Sequence, residues 1–330
     1  MLKRGFTLIE LVVGLGLLSV VLLFVFQTFS YQQATHSVVD QISETQQNAQ
    51  AISRLIERDL RNAGYLVPAG AAACGVDSTS APDTLFVSDT DAILPADQLP
   101  VEYNGKELAA KLTDLTDDPT ATGAKTMDVD AVTIDGVASY DTDGNGVNDS
   151  DFRVGGGAIL TDTANPTRGV ACGIVTGVNI TAPLTVSVNF LAMYNTAAAQ
   201  AKVLRLVPAH VYQVVAGPPP QLLRDGVLLA KDIEDLQVAW FYDDDTDSVV
   251  DAGEMRGVSG TNLDNTAVTG SKLREVRFDL VARTRANDPR NPDDAGIGQA
   301  RENRATSIPA ADGKHRRVYT STARLRNLTL

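Results

Sequence analysis

The stretch Phe6-Thr7-Leu8-Ile9-Glu10-Leu11-Val12-Val13-Gly14-Leu15-Gly16-Leu17-Leu18 opens an apolar run that continues almost unbroken to Phe26, and Lys3-Arg4-Gly5 stands directly before it. From Phe6 to Phe29 the run is long enough to cross a bilayer, whose hydrocarbon core takes about 20 residues of helix. Glu10 is the residue that does not belong. An acidic side chain at the centre of a membrane helix costs about 2.5–3.5 kcal/mol on insertion scales, so this one needs a partner and a use. A secretory signal would follow its apolar stretch with a small-x-small cleavage site, and Phe26-Gln27-Thr28-Phe29-Ser30-Tyr31 offers none.

The helical pattern continues past the length a membrane requires. No proline interrupts it before Gly64, and Val38, Ile42, Thr45, Ala49, Ile52, Ile56, Leu60 and Ala63 recur at steps of three and four. That is the period of one helix face. Arg54, Glu57, Arg58 and Arg61 lie off the stripe. Gly64 then supplies a stop signal, followed by Pro68. The expectation is one helix over 6–63, with 6–29 in the membrane and the second half packed on a folded domain. Gly14 and Gly16 either admit close helix approach or are ordinary membrane-helix glycines.

From residue 84 onward the pattern becomes short β-type runs divided by Gly, Asp, Asn and Pro. Strands are expected at 85–87, 131–134, 158–160, 170–175, 184–190, 202–207, 210–215, 221–224, 236–242, 273–283 and 317–325. The segments 69–82, 111–126 and 288–311 read as loops or insertions. The fold class expected is α+β: a long N-terminal transmembrane and amphipathic helix carrying a mostly antiparallel β-domain over 64–330.

The chain has 330 residues, 44% of them hydrophobic, and a formal net charge of −13. A real core can form, and non-specific nucleic-acid binding is disfavoured. The last thirty residues are basic, with Arg301, Arg304, Lys314, Arg316, Arg317, Arg324 and Arg326. Attraction to the acidic middle of the chain is the simplest account of them. Lys3 and Arg4 keep the tip cytoplasmic by the positive-inside tendency, which puts the bulk outside the inner membrane where disulfides are permitted. Cys74 and Cys172, the two cysteines, are then expected to pair rather than to stay as separate buried thiols.

Basic leader, Gly5, Phe6-Thr7-Leu8-Ile9-Glu10 and apolar run, in that register, resemble the N-terminus of a type IV prepilin. The resemblance implies cleavage between Gly5 and Phe6 by a prepilin peptidase, methylation of the Phe6 amine, and a pilin-like fold. Leu55-Ile56-Glu57-Arg58-Asp59-Leu60-Arg61-Asn62-Ala63-Gly64-Tyr65 is similar to the helix end of PilW-type minor pilins. So are Val211-Tyr212-Gln213, Gln221-Leu222-Leu223-Arg224-Asp225, Asp232 to Val238, Arg277 to Arg283 and Arg324 to Leu328. The J-type minor pseudopilin of type II secretion is similar as well. The role implied is a minor pilin that helps prime and assemble the pilus, at or near its tip, with other minor pilins and the major pilin as partners. Its location would be the inner membrane first and the pilus afterwards. The alternatives are a J-like pseudopilin and a tip adhesin.

Glu10 has a physical role in that setting. A helix that leaves the bilayer for a filament buries Glu10 among other apolar helices, and the cation available at that depth is the Phe6 ammonium of a neighbouring subunit. Breaking such a buried pair costs about 3–5 kcal/mol, enough to set axial register.

Two acidic stretches have calcium-loop spacing. Asp243, Asp245, Asp247, Asp251 and Glu254 fall at loop positions 1, 3, 5, 9 and 12, and Val249 offers its carbonyl at position 7. Oxygen donors so spaced curl around one hard cation. Ser248 stands where a glycine is preferred. Asp141, Asp143, Asn145 and Asp149 form a second such set with Gly146 at the turn, closed by no acid, since Phe152 occupies that place. Ca2+ is the cofactor expected, against solvated acidic turns. His36, His210 and His315 show no metal spacing, and no nucleophile, phosphate-loop or Cys-x-x-Cys motif occurs. An enzyme is not expected.

Overall fold

The computed structural model describes residues 7–93, 108–134, 150–195, 202–266, 268–288, 302–304 and 312–328. Gly5, Phe6 and the acidic set Asp141, Asp143, Asn145 and Asp149 lie outside them, as does most of the expected loop 288–311.

Helix α1 runs Leu8–Asn62 without a break, about 82 Å at about 1.5 Å per residue. Every residue from Thr7 to Gln33 is exposed. Beyond them the stripe turns inward. Val38, Ile42 and Thr45 are half-buried, and Ala49, Ile52, Ile56, Leu60 and Ala63 are buried. Gly64 ends the helix at φ 82°, a left-handed conformation glycine adopts without a Cβ penalty. A Cβ there would sit 3.0 Å from Leu328.

Beyond α1 the described residues are mainly β-structure, with every strand pairing antiparallel, joined by loops and short helical turns. In chain order the strands are β1 Ala73–Val76, β2 Thr84–Val87, β3 Ala110–Lys111, β4 Gly123–Asp128, β5 Gly157–Asp162, β6 Val170–Asn179, β7 Thr185–Ala192, β8 Leu204–Val215, β9 Gln221–Arg224, β10 Val227–Lys231, β11 Ile233–Tyr242, β12 Met255–Arg256, β13 Leu273–Arg283 and β14 Arg316–Arg324. A four-stranded sheet, β12-β11-β13-β14, carries α1. Its inward side chains from β11 (Leu236, Val238, Trp240), β13 (Val276, Phe278, Leu280) and β14 (Ala323) close one core over the helix stripe. The other ten strands form a second sheet through β1-β2-β8-β5-β6-β7-β4, with a separate core around Leu160, Val188, Phe190 and Leu206.

Three expectations about strands need correction. The segment 131–134 is not a strand, although Val132 is buried. The expected loops 69–82 and 111–126 contain β1 and part of β4. Ala73-Cys74-Gly75-Val76 has small side chains and no alternation to betray it, and it is held by pairing with β2. In β4 only Met127 is buried, because the strand sits on the rim of its sheet, so its sequence carries no inward period. The runs 202–207 and 210–215 are one strand, β8. Residues 204–209 pair with β5 and residues 210–213 with β2. Pro208, which has no N–H to give a neighbour, falls where one edge of β8 carries no strand, between the pairings with β3 at 205–206 and β2 at 210–213.

Cys74 and Cys172 are disulfide-bonded. The bond fastens β1, just past the helix, to β6. The basic C-terminal segment meets acids as expected, with Arg304 on Asp235 and Arg316 bidentate on Glu234.

Candidate functional site

At the membrane-length end of α1, Thr7 is the N-cap and Glu10 the third helical residue. The Glu10 amide donates to Thr7 Oγ1 at 3.4 Å, while Glu10 Oε2 accepts from the Thr7 amide at 3.0 Å and from its hydroxyl at 2.9 Å. This is a capping box, in which two orphan N–H groups are answered reciprocally. Thr7 was not singled out from the sequence, although the Thr-x-x-Glu spacing is the helix-start signal that could have found it, and the cap adds a second task to Glu10. The apolar side chains from Leu8 to Phe29 stand open around it. An exposed apolar face of that extent is far larger than a soluble monomer carries. By length and composition α1 can cross a membrane, and lipid or other helices must cover it.

At the other end, Asp59 is fully buried, on the helix face that also carries Ile52 and Ile56. Tyr212 Oη of β8 donates to Asp59 Oδ2 at 2.6 Å, and Arg224 Nη2 of β9 does so at 2.7 Å. Arg58 donates to the other oxygen from Nε and Nη2, at 3.1 and 3.0 Å. Burial and the Asp59 charge push the Tyr212 hydroxyl far above its ordinary range, so it stays a donor. The Arg224 guanidinium also lies 5.8 Å over the Tyr212 ring, within cation–π range. The last helical carbonyls are answered from the C-terminal segment, where Asn327 Nδ2 donates to Asn62 O at 3.0 Å and Ala63 O at 3.2 Å. The helix end is therefore locked by residues some 150 and 265 positions away in sequence. Helical period alone could have singled out Asp59, which lies three residues after Ile56.

The acidic loop after β11 brings some of its expected ligands together. One carboxylate oxygen from each of Asp243, Asp245 and Asp247 lies within 4.8 Å of the other two. Ser248 takes φ 69°, the left-handed turn for which a glycine was expected. Glu254 lies outside that cluster of three. Its Oε1 accepts from the amides of Asp244 and Asp245 and its Oε2 from the amide of Asp251. Those N–H donors, Asp251 first, hold its carboxyl below the ordinary range. Asp251 in turn accepts from the Glu254 amide, so the two form a reciprocal cap on the short turn Ala252–Glu254. Val249 is exposed.

Residues 1–26 match the family described as the prokaryotic N-terminal methylation motif. No curated protein matches the chain. Among solved structures, a type IV-like pilin from Thermus thermophilus is similar at 12% identity, covering 54% of this chain and 90% of that one with a TM-score of 0.24. The chain thus joins a prokaryotic N-terminal methylation motif over residues 1–26 to one long apolar helix and an antiparallel β-domain.

Proposed function

We propose that the chain is a minor pilin of the PilW type, which joins other minor pilins in the inner membrane, helps to prime pilus assembly and stays at or near the tip. The observation that carries this reading is the bare first half of α1, with a single carboxylate in its first turn. In the separate subunit, Thr7 answers Glu10. On assembly the Phe6 ammonium of a neighbour takes over as counter-ion, and the apolar side chains pack against other helices. The capping box keeps Glu10 ordered in the meantime and lowers the cost of holding a carboxylate there. The PilW reading draws support from Asp59, Tyr212 and Arg224, one from each of three segments that resemble that family. They meet at a single buried point. Residues of a fourth, Leu325 and Leu328, pack in the core with Ala63.

The test is a deletion strain complemented with wild-type or Glu10→Ala protein. Pilus number should collapse in the deletion and return only with the wild type. Tagged protein should appear in sheared pili in trace amounts beside the major pilin. Normal piliation with secreted proteins trapped in the periplasm would move the chain to a J-like pseudopilin. Normal piliation with lost attachment would make it a tip adhesin.

A further inference from the structure

We propose that Asp243, Asp245 and Asp247 form a site for a hard divalent cation of the calcium class, one wall of which is built into the protein core. Acidic residues in an exposed turn are ordinary, and they keep their carboxylates in water. Asp243 does not. It follows the last residue of β11, is 1% exposed, and its amide is held by the Lys272 carbonyl at 2.9 Å. Its Oδ2 accepts from Arg274 Nε at 3.2 Å, but its buried Oδ1 has no hydrogen-bond partner. A buried carboxylate oxygen left unanswered is unfavourable. The same side chain belongs to a trio whose oxygens converge within 4.8 Å.

Apart from Arg274 on Asp243, the cations nearby are engaged elsewhere. Arg256 pairs with Asp244, and Lys272 donates to the Asp244 carbonyl. Among the described residues no ion pair reaches Asp245 or Asp247, which accept from the backbone amides of Asp247 and Val249 respectively. Three carboxylates thus converge on a single neutralising charge, the Arg274 guanidinium on Asp243 Oδ2. A cation at their centre answers Asp243 Oδ1 and removes the repulsion together.

The donor set selects the kind of ion. All three groups supply hard oxygens, and the spacing offers the Val249 carbonyl, at loop position seven, as a fourth. Calcium accepts six to eight oxygens in flexible geometry and completes its shell with water, whereas magnesium demands a near-ideal octahedron. Glu254, expected from its spacing as a ligand, is engaged with the loop backbone here. Its carboxylate ties three backbone amides of the loop, holding the turn ready for the ion.

Asp245 and Asp247 are exposed, so replacing them leaves the core intact, and D245N/D247N is the test variant. Full-length protein in detergent is titrated with calcium chloride by calorimetry, and with terbium by luminescence excited through Trp240 and Tyr242. Wild type should bind one more equivalent of calcium than D245N/D247N, with Kd on the order of 10⁻⁴–10⁻³ M as in extracellular calcium modules. The sensitised terbium signal should fall at least tenfold in the variant, and magnesium should compete poorly. Superimposable titrations of the two proteins, or no calcium binding by wild type in the millimolar range, would overturn the proposal. D141N/D143N should keep the equivalent that D245N/D247N loses, and its loss there instead would also overturn it.

Discussion

Glu10, in the first turn of α1, is open to its surroundings and hydrogen-bonded within its own turn, whereas Asp59, in the last, is sealed from solvent and answered from β8 and β9. The two carboxylates sit on one continuous helix, yet one is placed by local geometry and the other by tertiary contact. The difference separates two kinds of charge in an apolar setting. Glu10 is answered only by Thr7 of its own turn, and under the proposed function a neighbouring subunit takes that place. Asp59 has both oxygens occupied inside the chain, and its task is to fix the helix to the β-domain.

The largest effect should come from breaking the outward half. Glu10→Ala should insert into the membrane at least as well as wild type, because a costly carboxylate is gone. It should abolish the protein's contribution to pilus assembly, scored by counting pili in a strain where no other minor pilin substitutes. Full piliation would remove the distinction between the two carboxylates.

Next is the staple beside the inward half. Cys74 and Cys172 close a loop with a sequence separation of 98, for which the chain-entropy model gives about 4–5 kcal/mol. Cys74→Ser with Cys172→Ser should lower stability toward denaturant by about 3–5 kcal/mol and leave insertion of the apolar segment unchanged. A shift below about 1 kcal/mol would mean that the sheets hold the helix end unaided.

Asp59→Ala should cost about 3 kcal/mol, since it strands the Arg224 charge and the Tyr212 hydroxyl in a dry site. Tyr212→Phe should cost less, about 1.5–3 kcal/mol for one hydrogen bond to a charged acceptor. A double-mutant cycle measures the coupling directly. An Asp59→Ala variant as stable as wild type would place the lock in packing alone.

The smallest effect is a slope with pH. Burial pushes the Asp83 carboxyl from an ordinary 3.8 up to about 8, with repulsion from Asp77 and Asp235 adding to it and the amides of Val238 and Ser78 opposing it. The folded state holds this proton more tightly than the unfolded chain does. Its contribution is therefore complete below about pH 4 and is lost as pH rises through about 8. Denaturant midpoints should fall between pH 5 and 8. Asp83→Asn, which cannot ionise, should flatten that slope whatever it does to absolute stability, and an unchanged slope would assign the effect to other groups.

How much could be read beforehand differs from residue to residue, with a physical pattern. The stripe Ala49, Ile52, Ile56, Leu60 was legible because helical period and burial coincide on one face. The Thr7–Glu10 cap was missed, although its Thr-x-x-Glu spacing is a signal that could have found it, because the apolar run drew attention away from it. Asp59 was not marked as buried, because a charge in a helix is read as solvated until a Tyr and an Arg are brought to it from far along the chain. Strand β4 was passed over because a rim strand has little to bury. The spacing of Asp243 to Glu254 suggested one ligand set, but spacing cannot say which carboxylates turn to the centre and which fasten the backbone.

By itself the sequence determined the long helix, its membrane-length first half, its processing motif, the β-rich character of the remainder and the presence of a carboxylate that needs a partner. All of these follow from near-neighbour chemistry: period, apolar length, turn residues and motif register. The pairing of Cys74 with Cys172 was expected from cysteine count and compartment, and the structure shows it; tertiary structure alone decided that β8 is continuous through Pro208, that Asp59 is locked by Tyr212 and Arg224, and that Asp243 is buried with an unanswered oxygen. Those depend on residues tens to hundreds of positions apart. Pairing and burial bring such residues together only when the whole chain has closed its cores.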